Sequence, residues 1–353
     1  MEDLKGSAET EENDLSENLE FWMTRLPARL QTVPINCLAI PGSHDTMTYT
    51  IAKYNEVGPD ESMAIQFLGR YCSLISKPII FNWSITQYDN VTQQLNGGIR
   101  YFNMPRYLDL RVATKLGSDG IYFLHGLYGS EISDPLQEVA DWLATHPNEV
   151  VILDFQHFYI FSDAHHRFLI EKIHTLFWGK LCPVFGNFSH ISLQWLALEK
   201  YQVFVIYRHV VAKDYTDLWP SGFWPTPWPD TVHADYLLNF LDTKLGCRSP
   251  QTAFVSQCLL TPDTFFVMKH VCGNLYRDLS ETCRHAILPW IQKNSPGSEG
   301  LNIVIADFIS NHNFEFPKTV IKRNSQILKD SQDPSYPRTY IQVQSREHSE
   351  SKY

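Results

Sequence analysis

The sequence predicts an α/β fold: one domain whose parallel strands are joined by crossover helices and closed into a barrel. Three observations predict it. Short apolar runs of strand type alternate with helical segments along the whole chain. Six of these runs end in, or just before, a residue able to do chemistry: His44, Arg111, His125, Gln156, Arg208 and Asp307. The length, 353 residues, suits one eight-stranded barrel with tails. A doubly wound open sheet is the competing architecture, but no Gly-rich nucleotide loop follows any strand.

Residues 1–18 are polar and acidic and are expected to be disordered. Residues 19–30 read as an amphipathic helix, and the apolar run ending at Ile40 is a first strand, stopped by Pro41-Gly42. A helix is expected over 62–74, ended by Lys77-Pro78, and another over 85–98, stopped by Gly97-Gly98. Leu108, Leu110 and Val112 alternate with Asp109 and Arg111, which therefore share the opposite face of a strand over 107–112. Strand 121–124 runs into His125-Gly126. Asp134-Pro135 opens a helix to about His146. Strand 150–155 leads to Gln156 and His157, a helix follows over 163–177, and strand 202–207 leads to Arg208. A Trp/Pro-rich loop spans 218–230, followed by a helix near 232–244 and strands over 252–257 and 301–306, the last leading to Asp307. The domain is expected to cover 19–321, with a polar tail over 322–353.

Composition narrows the function. Hydrophobic residues make up 44% of the chain, enough for a large core. A net charge of −10 argues against nucleic acid as a partner, because phosphate-backbone binding needs a basic surface. It allows an anionic ligand where positive charge is local. Seven cysteines in no metal-type or framework spacing fit free thiols in a reducing compartment. Residues 1–20 are acidic with no apolar core of a signal peptide, so a cytoplasmic location is expected.

In a parallel barrel the carboxyl ends of the strands meet on one face. His44 and His125, Arg111 and Arg208, and the carboxylates Asp45, Asp109 and Asp307 would then converge there. Histidines act as acid and base near neutral pH, and arginine best matches a phosphate. The set reads as phosphate-ester chemistry without a cofactor: one histidine takes a proton, the other gives one, and an arginine steadies the charged transition state. His44, Asp45, His125, His157 and Asp307 are also competent metal ligands. No HxH or HExxH spacing supports that reading, and an arginine on the pocket strand would repel a cation. Each polar residue also has a structural reading: Arg111 with Asp109 as an internal ion pair, His125 as a turn cap.

The stretches IPGSHD at 40–45, RYLDLRV at 106–112, FLHG at 123–126, VVILDFQHF at 150–158 and NIVIADF at 302–308 resemble, in this order, the X domain of phosphatidylinositol-specific phospholipase C. The likeness spans about residues 22–320 and is to the stand-alone X-domain subgroup of animals. It implies a distorted TIM barrel. It also implies cleavage of a phosphoinositide-type lipid by its own 2-hydroxyl, giving a cyclic inositol phosphate and diacylglycerol. On motif position His44 resembles the general base, His125 the general acid, and Asp45 and Asp307 the carboxylates that orient them. Arg111 falls where bacterial members carry arginine and calcium-dependent members a calcium-binding acid, so the resemblance implies a metal-independent reaction. Arg208, Gln156 and Asp109 are the expected substrate contacts. Gln156 stands where bacterial members have lysine and calcium-dependent ones glutamate, and residues 102–107 are extra between GIRY and LDLR.

Two functions are therefore expected in competition: a phosphodiesterase, and a lipid- or inositol-phosphate-binding protein that turns over poorly on the same barrel. A transient membrane contact is expected from the 219–229 loop, through Trp219, Trp224 and Trp228. The alternative is that these rings fold inward and pack.

Overall fold

The computed structural model describes residues 15, 17–103, 111–115 and 120–330. Its strands are β1 (Ile40–His44), β2 (Tyr101–Asn103), β3 (Arg111–Thr114), β4 (Ile121–His125), β5 (Leu127–Glu131), β6 (Val151–Phe155), β7 (His157–Tyr159), β8 (Val203–Tyr207), β9 (Leu218–Trp219), β10 (Val255–Gln257) and β11 (Ile303–Ala306). Seven form one curled, all-parallel sheet in the order β10-β11-β1-β2-β6-β8-β9.

The strand sequences are almost continuously apolar because both faces are buried. Ile40, Tyr101, Ile152, Phe204, Ile206, Trp219, Val255, Ile303 and Ile305 fill the inside of the curl. Their neighbours Ala39, Phe102, Val151, Leu153, Val205 and Val304 face the helices outside. Gly42 is required at the centre: a Cβ there would lie 2.7 Å from the Tyr101 carbonyl oxygen and 2.8 Å from Ile305.

The barrel departs from eight closed parallel strands in two ways. First, β9 and β10 are the edges of the sheet, and the loop between them closes the gap. Ala253 and Val255 donate their N–H groups to the carbonyls of Phe223 and Pro225, both at 3.0 Å. The Gln257 amide donates to the carbonyls of Thr226 (3.2 Å) and Pro227 (3.1 Å). Second, β3 and β4 are antiparallel and belong to a separate sheet, β5-β4-β3-β7. Because β7 follows β6 after one residue and pairs with β3 as β6 pairs with β2, this sheet continues the β2–β6 pair past the carboxyl rim of the barrel.

Helices Ser133–Thr145, Asp163–Leu176 and Ala234–Gly246 stand within two residues of their expected starts and ends. Others differ. Residues 19–26 are mostly turns and only Ala28–Gln31 is helical, since Pro27 interrupts the segment; Trp22, Met23, Leu26 and Leu30 are buried there instead. Pro78 ends nothing. The break is at Cys72, between helices Met63–Tyr71 and Ser73–Ser84, and Pro78 lies inside the second. Only Val91–Asn96 is helical within 85–98, started by the Asn90–Gln93 capping box. Order continues past 321: Asn324 is fully buried, bonds both backbone groups of Ala39 at 2.8 and 2.9 Å, and leads into helix Ser325–Asp330. At the other end Leu15 is buried in the core. Residues 1–14, 104–110 and 331–353 lie outside the described residues.

Candidate active site

The register sets the site. Ser43 pairs with Ala306, so His44 and Asp307 come next to each other where β1 and β11 end. His44 Nδ1 meets Asp307 Oδ1 at 2.5 Å. A carboxylate only accepts, so this nitrogen carries the proton and Nε2 is turned the other way. It turns toward Asp45, whose Oδ2 is 3.3 Å away. Asp45 is held in the left-handed region (φ 45°, ψ 51°), which a residue other than glycine adopts at a cost. Its carboxylate is fully buried.

His125 arrives from the second sheet, at the end of β4. Its Nδ1 lies 2.5 Å from the Ser84 carbonyl, so it too is a donor. Its Nε2 lies 3.1 Å from the same Asp45 Oδ2. One carboxylate oxygen is thus shared by the outward nitrogens of two histidines. Neighbouring Gly126 has φ +65°, and its N–H donates to Asp60 Oδ2 at 2.8 Å.

His44, His125 and Asp307 lie along a cavity of about 390 Å³, within the range for small-ligand sites. Its walls are apolar: Ile65, Leu68, Ile79, Ile80 and Trp83 on one side, Val267, Met268 and Val271 on the other. Beyond the mouth, Met63 and Leu74 are each 87% exposed, and Phe67, Ile75 and Phe265 are exposed as well. Exposed apolar side chains crowded at one opening mark a binding surface.

His44, Asp45, His125 and Asp307 are therefore brought together. Arg208 and Gln156 are not brought to this cavity. Arg208 makes a two-pronged pair with Asp154 (2.8 and 2.7 Å) and also donates to Thr226 Oγ1 at 2.7 Å. Gln156 (3.0 Å) and the Tyr101 hydroxyl (2.7 Å) donate to the same carboxylate. Burial opposes the Arg208 charge, but Asp154 more than restores it and holds the guanidinium above its ordinary pKa. Burial, with Asp154 beside it, pushes the Tyr101 phenol well up, so it stays a donor. Arg111 enters through its backbone, opposite Leu124 and one residue from His125. Asp109 lies outside the described residues.

The expected membrane edge is corrected. Trp219 and Trp224 are buried in the barrel with Phe188 and Phe204, and Trp228 is half-buried with its Nε1–H on Thr261 Oγ1 at 3.1 Å. The loop closes the β9–β10 gap, and that task turns its rings inward. The exposed apolar rim belongs to helices Met63–Tyr71, Ser73–Ser84 and Thr264–Lys269. No described helix is long and apolar enough to cross a membrane.

Sequence reasoning missed Asp154, Ser84, Thr86 and Gln87. Asp154 left a signal, a carboxylate inside the apolar run Val150–Phe155. The others left none, because they act through contacts with distant strands.

A curled parallel sheet with histidines and carboxylates gathered past its carboxyl rim defines an α/β barrel with its site at the strand ends. Solved structures agree on the fold. A point mutant of the Staphylococcus aureus phosphatidylinositol-specific phospholipase C superposes with a TM-score of 0.59 at 16% identity, over 88% of this chain and 98% of its own. The Listeria monocytogenes enzyme gives 0.56 at 16% identity, over 87% and 98%. A further S. aureus structure, concerned with modulation of membrane binding, gives 0.57 at 16% identity, over 88% and 99%. No family model matches the chain. Curated relatives do. Mouse PI-PLC X domain-containing protein 2 is 40% identical over 88% of both chains. Human PI-PLC X domain-containing protein 3 is 36% identical over 87% of this chain and 94% of its own. Human PI-PLC X domain-containing protein 1 is 34% identical over 88% and 93%. The chain belongs to the PI-PLC X domain-containing proteins.

Proposed function

We propose that this protein is a phosphoric diester hydrolase of the phospholipase C type, acting on a phosphoinositide-type lipid. The observation that carries the reading is the pair of histidines facing one carboxylate at the wall of an apolar cavity. His44, its Nδ1–H held by Asp307, presents the Nε2 lone pair as general base to the inositol 2-hydroxyl. That oxygen attacks phosphorus, and the bond to the diacylglycerol oxygen breaks. His125 has its Nδ1–H on the Ser84 carbonyl, so a proton on Nε2 makes it an imidazolium, which Asp45 stabilises. It gives that proton to the leaving oxygen, and the products are a cyclic inositol phosphate and diacylglycerol. Arg111, one residue from His125 in register, is assigned the phosphate charge, and no metal takes part. Asp109, which lies outside the described residues, is assigned to substrate binding.

The apolar rim supports access from a bilayer, with the acyl chains between the helices and the phosphodiester at the histidines. Burial of rim side chains contributes roughly 25 cal/mol per Å² and needs no net positive charge. Free cysteines at all seven positions fit the cytoplasmic side of that bilayer.

The test is turnover of phosphatidylinositol in vesicles, with and without chelator, reading cyclic inositol phosphate. Activity that survives chelation supports the reading. Activity abolished by chelator and restored by calcium overturns the metal-free part. A second function, lipid or inositol-phosphate binding with weak turnover on the same barrel, is favoured by Gln156, whose amide is spent on Asp154. Tight vesicle binding without turnover would establish a lipid-binding protein instead. Leu74→Ser with Ile75→Ser should weaken vesicle binding while melting temperature and turnover of a short-chain soluble substrate stay unchanged. Unchanged binding would remove the rim from the proposal.

A further inference from the structure

Gln87 is fully buried and lies outside the cavity wall. It follows Thr86 in the non-helical segment between helices Ser73–Ser84 and Val91–Asn96. Its side-chain amide has two donors and an acceptor, and all three are used on the two strand ends that carry the His44–Asp307 pair. Nε2 donates to the carbonyl of His44 (2.9 Å) and to that of Ala306 (3.1 Å). Oε1 accepts from the N–H of Ile309 (3.2 Å). One side chain thus ties the end of β1, the end of β11 and the turn beyond Asp307.

The surroundings hold the amide in place. Thr48 Oγ1 accepts the N–H groups of Thr86 (3.2 Å) and Gln87 (3.0 Å). It lies 2.8 Å from Thr86 Oγ1, which donates to the carbonyls of His44 (3.0 Å) and Asp45 (3.2 Å). The Thr86 carbonyl accepts the N–H of Phe308 at 2.7 Å. These bonds restrain both positive-φ residues beside the pair, Asp45 (φ 45°) and Phe308 (φ 48°). Asp tolerates such backbone better than most residues, but at Phe308 a bulky side chain disfavours it, so there the restraint matters most.

We infer that Gln87, assisted by Thr86, is a positioning residue: it sets the spacing and alignment of His44 and Asp307 by clamping the carbonyls behind them. The inference deepens the proposed reaction and rests on it only for its kinetic consequence. A carboxylate–imidazole pair works when both groups are held in register, and a misplacement of about 1 Å costs on the order of 10²-fold in rate.

The test replaces Gln87 in the full chain with methionine, of similar length but without the amide. Two readouts are taken beside a melting curve. One is the low-field proton resonance of His44 Nδ1–H, assigned by its disappearance in His44→Ala. The other is kcat and KM on phosphatidylinositol vesicles. Q87M is expected to broaden or lose the resonance and to lower kcat by roughly 10- to 100-fold, with KM within about twofold. Where Q87M does not fold, Thr86→Val removes the second donor and Thr86→Ser keeps it. Valine should reproduce both losses and serine should restore both readouts. A folded Q87M, or T86V in its place, with the parent resonance and the parent kcat overturns the inference. A parent with the resonance but no turnover overturns the hydrolase reading, and the clamp then stands or falls on the resonance.

Discussion

At the amino end of the barrel, Arg100 and Glu149 are fully buried and pair at 2.7 Å. At the carboxyl end, His44, Asp45, His125 and Asp307 are buried nearly as deeply. The two clusters differ in how the charge is used. Arg100 directs further donors to the carbonyls of Leu95, Ile99 and Glu20. Glu149 also accepts from Thr24, through its N–H at 2.8 Å and its hydroxyl at 2.6 Å. The result ties the amino-terminal segment, with Trp22 and Met23, across the base of the barrel. At the other end two carboxylates face two imidazoles, the backbone at Asp45 is strained, and a cavity opens beside them. Burial alone therefore does not mark a functional site. Groups whose charge can change near neutral pH, next to open volume, do.

That contrast can be broken most directly at the carboxyl end. His44→Ala and His125→Ala should each lower turnover per folded molecule by about 10²–10⁴-fold, the range for a lost general acid or base. Near-parent rates in either variant would make the cluster structural, like the one below it.

The amino end should respond in the opposite sense. Glu149→Ala leaves Arg100 as an unpaired charge at zero exposure and should destabilise the fold by about 3–5 kcal/mol, as for other broken buried pairs. Turnover per folded molecule should stay at the parent value. A small shift in denaturant midpoint, or a selective loss of kcat, would erase the distinction between the two ends.

A smaller effect separates both from a third buried histidine. His166 stacks on His209 at 3.9 Å and contacts the Tyr207 hydroxyl at 2.7 Å through Nδ1. Burial first, then the neighbouring His209, lowers its pKa from 6.5 to about 4. Between those values the unfolded chain binds more protons than the folded one, so stability falls as pH drops through that window. The difference in melting temperature between the parent and His166→Phe should depend on pH between about 6.5 and 4, in the parent's disfavour as pH falls. Parallel profiles would show that folding leaves the proton affinity of His166 unchanged.

How much of this was legible in the chain varies residue by residue. Asp307 could be found because it directly follows an apolar run, as a strand buried on both faces leaves, and His44 because it stands just past Pro41-Gly42, where another such run stops. His125 is legible for the same reason, although its strand is antiparallel and stands outside the barrel. Arg208 also follows a strand, yet it is taken by Asp154, and nothing local in the sequence separates a free arginine from a paired one. The tryptophans of 219–229 mislead in the same way: an aromatic, proline-stiffened loop looks alike whether it faces lipid or closes a gap between strands.

Local sequence determined strands β4, β6, β8, β10 and β11, the main crossover helices and the order of the motifs, because hydrophobic period and helix caps act over a few residues; the short strands β2, β5, β7 and β9 left no such signal. The tertiary structure alone decided which polar residues meet. The Asp45 carboxylate shared by two histidines, the Gln87 amide on two strand ends and the inward turn of Trp224 all depend on register and closure. Those are settled between segments far apart in the chain, where no local pattern carries the information.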